Sequence, residues 1–342
     1  MSFEYIHRIP SPEEIKEEIP MKPELSLLKR QKDTEIKNIF TGISDKFLLI
    51  IGPCSADNED SVCDYVSRLA RLEYEVRERL VLIPRIYTNK PRSTGEGYKG
   101  MMHQPDPNKK PNITEGIKAL RRLHIRALSE SGLPAADEML YPGNLSYLDD
   151  LLSYIAVGAR SVENQQHRLT ISGCDMPCGM KNPTSGDISV MLNSIYAAQQ
   201  SHVFLHNGWE VRTSGNALSH AIMRGAVDHY GRSIPNYHYE NLMMVAENFN
   251  DRQLTNPAII VDTNHANSNK KYKEQPRIGM EVMQSRRHSN KLLKMVKGLM
   301  VESYIVEGAQ KPGENTYGKS ITDPCLGWKD TWSFVNRLAE IV

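Results

Sequence analysis

The chain has 342 residues and carries 42 Lys and Arg against 41 Asp and Glu, a net charge of +1. Hydrophobic residues make up 39% and charged residues 24%, the profile of a soluble globular protein. The near-neutral balance excludes a polycationic nucleic-acid surface and an acidic disordered tail. The N-terminal MSFEYIHRIPSPEEIKEEIP lacks the basic-then-apolar order of a secretory leader, and no apolar run is long enough to span a bilayer. Five dispersed cysteines (Cys54, Cys63, Cys174, Cys178, Cys325) form no disulfide framework, so the expectation is a cytoplasmic protein with reduced thiols.

Residues 1–46 are polar and helix-prone, with Leu25, Leu27, Leu28, Ile36 and Ile39 at a loose helical spacing. From residue 47, short apolar, β-branched runs alternate with amphipathic stretches. The strand-like runs are 47–52, 81–87, 133–140, 155–162, 177–181, 202–206, 219–224, 257–262 and 298–306. Among the helical stretches, 61–80 is the clearest, with Val62, Tyr65, Val66, Leu69, Leu72 and Val76 on one face and Asp57, Asp60 or Ser61 as N-cap. Others are 113–128, which stops at Gly132, 187–199 and 239–250. Nine strand candidates exceed a (β/α)8 barrel by one. A doubly wound sheet competes, but it needs a glycine-rich nucleotide turn after an early strand. Run 47–52 leads instead directly into Pro-Cys-Ser-Ala-Asp, with no GxGxxG or GxxxxGK[ST] turn between it and the next helical stretch.

Polar residues fall just past the C-terminal end of almost every strand-like run: Cys54; Arg85, Lys90 and Arg92; Asp137 and Glu138; Arg160 and Glu163; Lys181; Arg224; Asp262 and His265; Glu302; Asp323. In a βα barrel such positions converge on one mouth. Any one of them alone reads as a solvated loop residue. Arg85, Lys90, Arg92, Arg160, Lys181 and Arg224 together would make a positive pocket for a small, multiply anionic ligand such as a sugar or enol phosphate. The acids that balance these cations are expected mostly elsewhere. Cys54, His265, Glu302 and Asp323 combine soft and hard donors, which suit Mn2+, Fe2+, Co2+ or Zn2+ better than Ca2+ or Mg2+.

The segments IIGPCS (50–55), PRIYTNKPRSTGEGYKG (84–100), SGLPAADE (131–138), VGARSVENQQHR (157–168), CGMKNPTSGD (178–187), VDTNHANSNK (261–270) and YGKSITDPCLGW (317–328) resemble class I 3-deoxy-D-arabino-heptulosonate 7-phosphate (DAHP) synthases. They run in the family's order across nearly all of 47–342. The resemblance implies a (β/α)8 TIM barrel over 47–342, with 1–46 as an N-terminal helical extension for oligomerisation or regulation. It turns the ninth strand candidate into an added β-hairpin at 202–214. It implies condensation of phosphoenolpyruvate with D-erythrose 4-phosphate, releasing phosphate. On that resemblance Cys54, His265, Glu302 and Asp323 hold the metal. Arg85, Lys90, Arg160, Lys181 and Arg224 bind phosphoenolpyruvate, and Arg92 and Ser93 hold the phosphate of erythrose 4-phosphate. The resemblance places Glu138 beside the reacting carbons, and the chemistry of the site leads to the expectation that Lys90 acts as general acid and Glu138 positions water. A homodimer or homotetramer is implied, with no nucleic-acid or membrane partner.

Several features stand outside that set. Cys325 follows Asp323 by two residues and is expected near Cys54. The CDMPC run (174–178) has too few donors nearby for a metal clip, and His167, His206 and His220 read as structural. The family is often inhibited by aromatic amino acids. Here the segment HVFLHNGWEVRTSGN is short, and Asp175 replaces a small neutral residue, so weak or absent inhibition is expected. Thr88-Asn89 before Lys90 is also unusual for the family. Two alternatives are a related synthase using another aldose phosphate or an amino-sugar analogue, and a non-catalytic effector-binding paralogue.

Overall fold

The eight runs that build the barrel are apolar almost throughout because parallel strands are covered on both faces. In a computed structural model of the chain, which describes residues 2–92, 95–106, 109–311 and 313–342, they are β1 (Phe47–Gly52), β2 (Leu80–Pro84), β3 (Ala135–Glu138), β4 (Leu152–Val157), β5 (Cys178–Lys181), β6 (Ser219–Met223), β7 (Ile259–Asp262) and β8 (Val296–Glu302). They pair in parallel in the order β2-β1-β8-β7-β6-β5-β4-β3. A parallel bridge between Arg85 and Ala136 joins β2 to β3 and closes the ring. The architecture is the expected (β/α)8 barrel.

Strand boundaries shift from the sequence expectation where turns intrude. Run 155–162 becomes Leu152–Val157, because the chain turns at Gly158 with Ser161 and Val162 both donating to the Gly158 carbonyl. Run 133–140 shortens to Ala135–Glu138, and 298–306 becomes Val296–Glu302. Run 202–206 is no barrel strand. Val203–His206 pairs antiparallel with Trp209–Arg212 through Asn207-Gly208, at φ 48° and 82°. An Asn-Gly turn with both residues at positive φ matches the twist of a two-residue hairpin. The chain's GxGxxG spacing, at 95–100, lies in the irregular loop after β2 and not at a helix N-terminus.

Helix Glu59–Val76 is capped by Asn58, whose side chain accepts from Ser61 N. The cap is thus none of the three candidates: Asn58 is the residue with extended backbone one position before the helix. Helix Ile113–Ser131 is capped by Asn112 and ends at Gly132 with φ 73°. Inside the ring, Leu48, Ile50, Val81, Ile83, Tyr154, Ile222, Ile260 and Met300 form one buried cluster with Ile36, Ile39 and Phe40. Helix Pro23–Phe40 therefore packs onto the barrel interior from outside the β/α repeat. A larger cluster fills the layer between the strands and the outer helices. Among the described residues no helix is long and apolar enough to cross a membrane.

Candidate active site

The carboxyl ends of the strands carry the polar residues that the sequence singles out. At the end of β1 the chain passes so close to β2 that a Cβ on Gly52 would lie 2.3 Å from the Arg85 carbonyl oxygen. This glycine brings the buried Cys54 to the mouth. Cys54 Sγ, Glu302 and Asp323 offer donor atoms that all lie within 4.8 Å of one another. His265 sits in the loop after β7 at φ 45°. Its Nδ1 lies 2.8 Å from Asp262 Oδ2, which turns Nε2 toward Glu302 Oε1 at 4.0 Å. An imidazole held through one nitrogen by a carboxylate, with the other facing inward, is the usual arrangement of a metal-ligating histidine. His265 thus joins the donor set from its Glu302 side and lies outside the tighter group of three.

Glu302 is fixed from several directions. Its backbone N donates to Gln275 Oε1, Asn264 Nδ2 donates to Oε2, and Arg85 Nη2 lies 2.7 Å from Oε1. Among the described residues no donor meets Oε1 with hydrogen-bond geometry, so one buried acceptor faces Cys54 and His265 with capacity to spare. Lys90 Nζ is 2.6 Å from Cys54 Sγ and 3.8 Å from Asp323 Oδ2, and Lys270 Nζ is 2.8 Å from Asp323 Oδ1. Thiol, imidazole and two carboxylates, with an unused lone pair, suit a first-row divalent ion.

The cations line the same mouth. Arg85 is almost fully buried, lies 3.9 Å over the Tyr87 ring and leaves Nε and Nη1 without a hydrogen-bond partner among the described residues. Arg224 Nη1 is also buried and without a hydrogen-bond partner. Buried guanidinium donors without acceptors call for an anion. Lys181 Nζ is 2.7 Å from Glu138 Oε2 and 5.4 Å from the Tyr87 ring centre. Arg160 is exposed at the rim, close enough for its charge to act on Arg224. Arg92 Nε donates to the Tyr98 carbonyl at 2.8 Å, and Ser93 lies outside the described residues. The expectation that the balancing acids lie elsewhere is corrected. Three of the six cations pair at the mouth: Arg85 with Glu302, Lys181 with Glu138, Lys90 with Asp323.

These pairs set the protonation states. Burial opposes ionisation of Glu138, but Lys181 at hydrogen-bond distance holds its carboxyl at about 2. Burial likewise opposes the Lys90 ammonium, yet Cys54 and Asp323 outweigh it and raise its pKa. Burial and then Glu302 push the Cys54 thiol up. Burial pushes the Cys325 thiol up as well, with Glu302 and Cys54 adding to it. His167 and His220 are held by internal bonds, His167 to Asn164 and Leu140 and His220 to Tyr154 and Leu218.

Tyr87, Asn264 and Lys270 were not expected in the site. Asn264 and Lys270 flank His265 within VDTNHANSNK, so density of polar residues after β7 was their signal. Tyr87 reads as another apolar strand residue.

A closed (β/α)8 barrel with a cation-walled, donor-rich mouth defines a barrel enzyme with its active site at the carboxyl ends of the strands. The DAHP synthetase I family model matches residues 19–336, and the chain belongs to that family. It is 38% identical over 349 residues to the Phe-sensitive phospho-2-dehydro-3-deoxyheptonate aldolase of Escherichia coli, covering 96% of each chain. It is 34% identical to that organism's Trp-sensitive aldolase, covering 98% of this chain and 96% of the relative. The structure of phospho-2-dehydro-3-deoxyheptonate aldolase from Francisella tularensis superposes with a TM-score of 0.92 at 30% identity, covering 100% of this chain and 98% of that one.

Proposed function

We propose that this chain is a DAHP synthase. It condenses phosphoenolpyruvate with D-erythrose 4-phosphate and water to give DAHP and phosphate, the first step of the shikimate pathway to aromatic amino acids. The observation that carries the reading is one mouth holding both the Cys54–Glu302–Asp323 donor cluster and buried Arg85 and Arg224 donors without acceptors among the described residues. Arg85, Lys90, Arg160, Lys181 and Arg224 hold phosphoenolpyruvate, and Arg92 and Ser93 hold the phosphate of erythrose 4-phosphate. Fixing both substrates face to face removes much of the entropic barrier.

Cys54, His265, Glu302 and Asp323 hold a divalent ion of the Mn2+, Fe2+, Co2+ or Zn2+ type. Bound there, it supplies Lewis acidity at the aldehyde. Lys90, kept as an ammonium by Cys54 and Asp323, donates a proton to the aldehyde oxygen as the enol carbon attacks the aldehyde carbon and the C–C bond forms. Glu138, kept as a carboxylate by Lys181, orients the water that adds at the former enol carbon before the C–O bond to phosphate breaks. The test is turnover with both substrates, with and without EDTA. Activity lost to EDTA and restored by Mn2+ is the expected result; no turnover under any metal would refute the reading.

The extension 1–46 serves oligomerisation or regulation, and the enzyme works as a homodimer or homotetramer. A cavity of about 810 Å3 lies between helix Pro23–Phe40 and the hairpin, lined by Lys29, Asp33, Asp175, Phe204 and Arg212 among others. On this reading Asp175, in the lining, would repel the carboxylate of an amino-acid effector bound there. Phenylalanine, tyrosine and tryptophan are therefore expected to inhibit weakly or not at all, in contrast to the Phe- and Trp-sensitive relatives. Strong inhibition by any of them at sub-millimolar concentration would overturn this.

A further inference from the structure

The strand that delivers Glu138 carries a buried charge on its other face. Ala136 points into the barrel with Ile83 and Ala156, so Asp137 points outward, beneath helix Ile113–Ser131. Buried Leu120 and Leu123 of that helix belong to the surrounding apolar layer. Yet Asp137 is only 4% exposed. Burying a carboxylate there costs several kcal/mol unless its oxygens are bonded.

Its bonds run to the two segments that carry reacting groups. Asp137 Oδ1 accepts from Thr88 N at 3.0 Å and from Glu138 N at 2.7 Å, and Oδ2 accepts from the Thr88 hydroxyl. His124 Nε2 stands 3.9 Å from Oδ2. Thr88 is two residues before Lys90. On its far side the segment meets residues 99–100 of the loop: Lys90 N donates to the Lys99 carbonyl at 3.0 Å, and a Cβ on Gly100, at φ 100°, would lie 2.3 Å from the Thr88 carbonyl oxygen. The 88–90 segment is thus clamped between Asp137 and the 99–100 backbone. From this clamp Lys90 reaches Cys54 Sγ at 2.6 Å, while Glu138 reaches Lys181 at 2.7 Å.

We infer that Asp137 is a positioning residue. One carboxylate behind the barrel wall ties the backbone bearing Lys90 to the backbone bearing Glu138 and sets the separation of proton donor and water-orienting group. The role rests on the condensation proposed above. It also accounts for Thr88: only a hydroxyl at that position completes the clamp.

The test uses the full chain with Mn2+, phosphoenolpyruvate and erythrose 4-phosphate. Asp137→Asn keeps the shape and loses charge and one acceptor; Thr88→Val loses the hydroxyl alone. Asp137→Asn is expected to lower kcat by about 10–100-fold with KM for phosphoenolpyruvate changed by less than about threefold, the signature of misplaced rather than missing groups. Thr88→Val is expected to lower kcat in the same sense but less. The double variant should fall no further than Asp137→Asn, since both act through one contact. If Thr88→Val and Asp137→Asn both keep kcat within about twofold while only Tm falls, the residue merely packs and the inference is wrong. If Asp137→Asn fails to fold, Thr88→Val alone decides on the same criterion. A wild type inert to both substrates would refute the condensation itself and this role with it, whereas an active wild type beside folded variants that all keep its kcat sinks the positioning role alone.

Discussion

Cys54→Ala is expected to abolish condensation and to weaken divalent-ion binding by at least about 100-fold, while the protein stays folded. The thiol is one of three donors close enough to share an ion, and its loss leaves two carboxylates and a more distant imidazole. The substitution removes one buried sulfur atom, a loss of about 1 kcal/mol in packing. Glu302→Gln is a poorer probe of the same site. It would leave the buried Arg85 guanidinium without its counter-charge, and breaking such a pair costs about 3–5 kcal/mol, so lost ligation and lost stability would be mixed. Calorimetric titration with Mn2+ and Zn2+, together with turnover at saturating metal and a thermal melt, separates the effects for Cys54→Ala. Unchanged metal affinity in a folded, inactive variant would remove Cys54 from the donor set and leave it a packing residue beside Lys90.

The barrel was legible because its strands are buried on both faces and read as unbroken apolar runs that end in polar residues. β1 and β7 show this directly, with burial along their whole length and Cys54 or His265 just beyond. β3 was harder. Two of its four residues are acids, and nothing in the pattern AADE tells which one faces the mouth and which the helix; only pairing with β4 and β2 fixes that. The hairpin had a local signal in Asn207-Gly208, but its apolar strand looks like a barrel strand until both residues are seen at positive φ. Tyr87 was illegible as a site residue because its ring is shared between the guanidinium of its near neighbour Arg85 and the ammonium of Lys181, which comes from a strand far away in sequence. The N-cap at Asn58 was missed for a similar reason: several adjacent residues can cap, and backbone conformation selects among them.

The net charge of +1 is also better understood. The mouth is not a bare positive pocket but three ion pairs plus Arg92, Arg160 and Arg224, which have no ion-pair partner among the described residues. Such an arrangement keeps the buried cations tolerable without ligand. It leaves Arg85 Nε and Nη1 and Arg224 Nη1 free to donate to an arriving anion. Recognition then rests on donors that the pairs orient but do not use up.

Lys181→Met separates these two duties of a paired cation. The methionine keeps most of the volume and loses the charge, so buried Glu138 loses the partner that holds its carboxyl at about 2. Removing one member of a buried pair is expected to lower unfolding free energy by about 3–5 kcal/mol. Glu138→Gln/Lys181→Met, with no bare charge left, should regain most of that stability. Neither variant should regain turnover, because the contact to phosphoenolpyruvate is gone in both. Losing a buried charged contact of 2–5 kcal/mol corresponds to a fall in kcat/KM of about 30-fold or more. The pH dependence supplies a second readout. In the wild type the folded carboxyl titrates below its ordinary 4.5, so the pair stabilises above about 4.5 and that contribution fades as the pH falls toward 2. In Lys181→Met burial, the largest influence on Glu138, is opposed only by Lys90 and Arg85, so the carboxyl pKa is expected to rise and mild acidification to stabilise this variant by protonating the stranded carboxylate. Denaturant melts of the three proteins between pH 7 and about 4 read out the sign. A single variant that loses stability on acidification in parallel with the wild type would show that Lys181 does not set the charge state of Glu138.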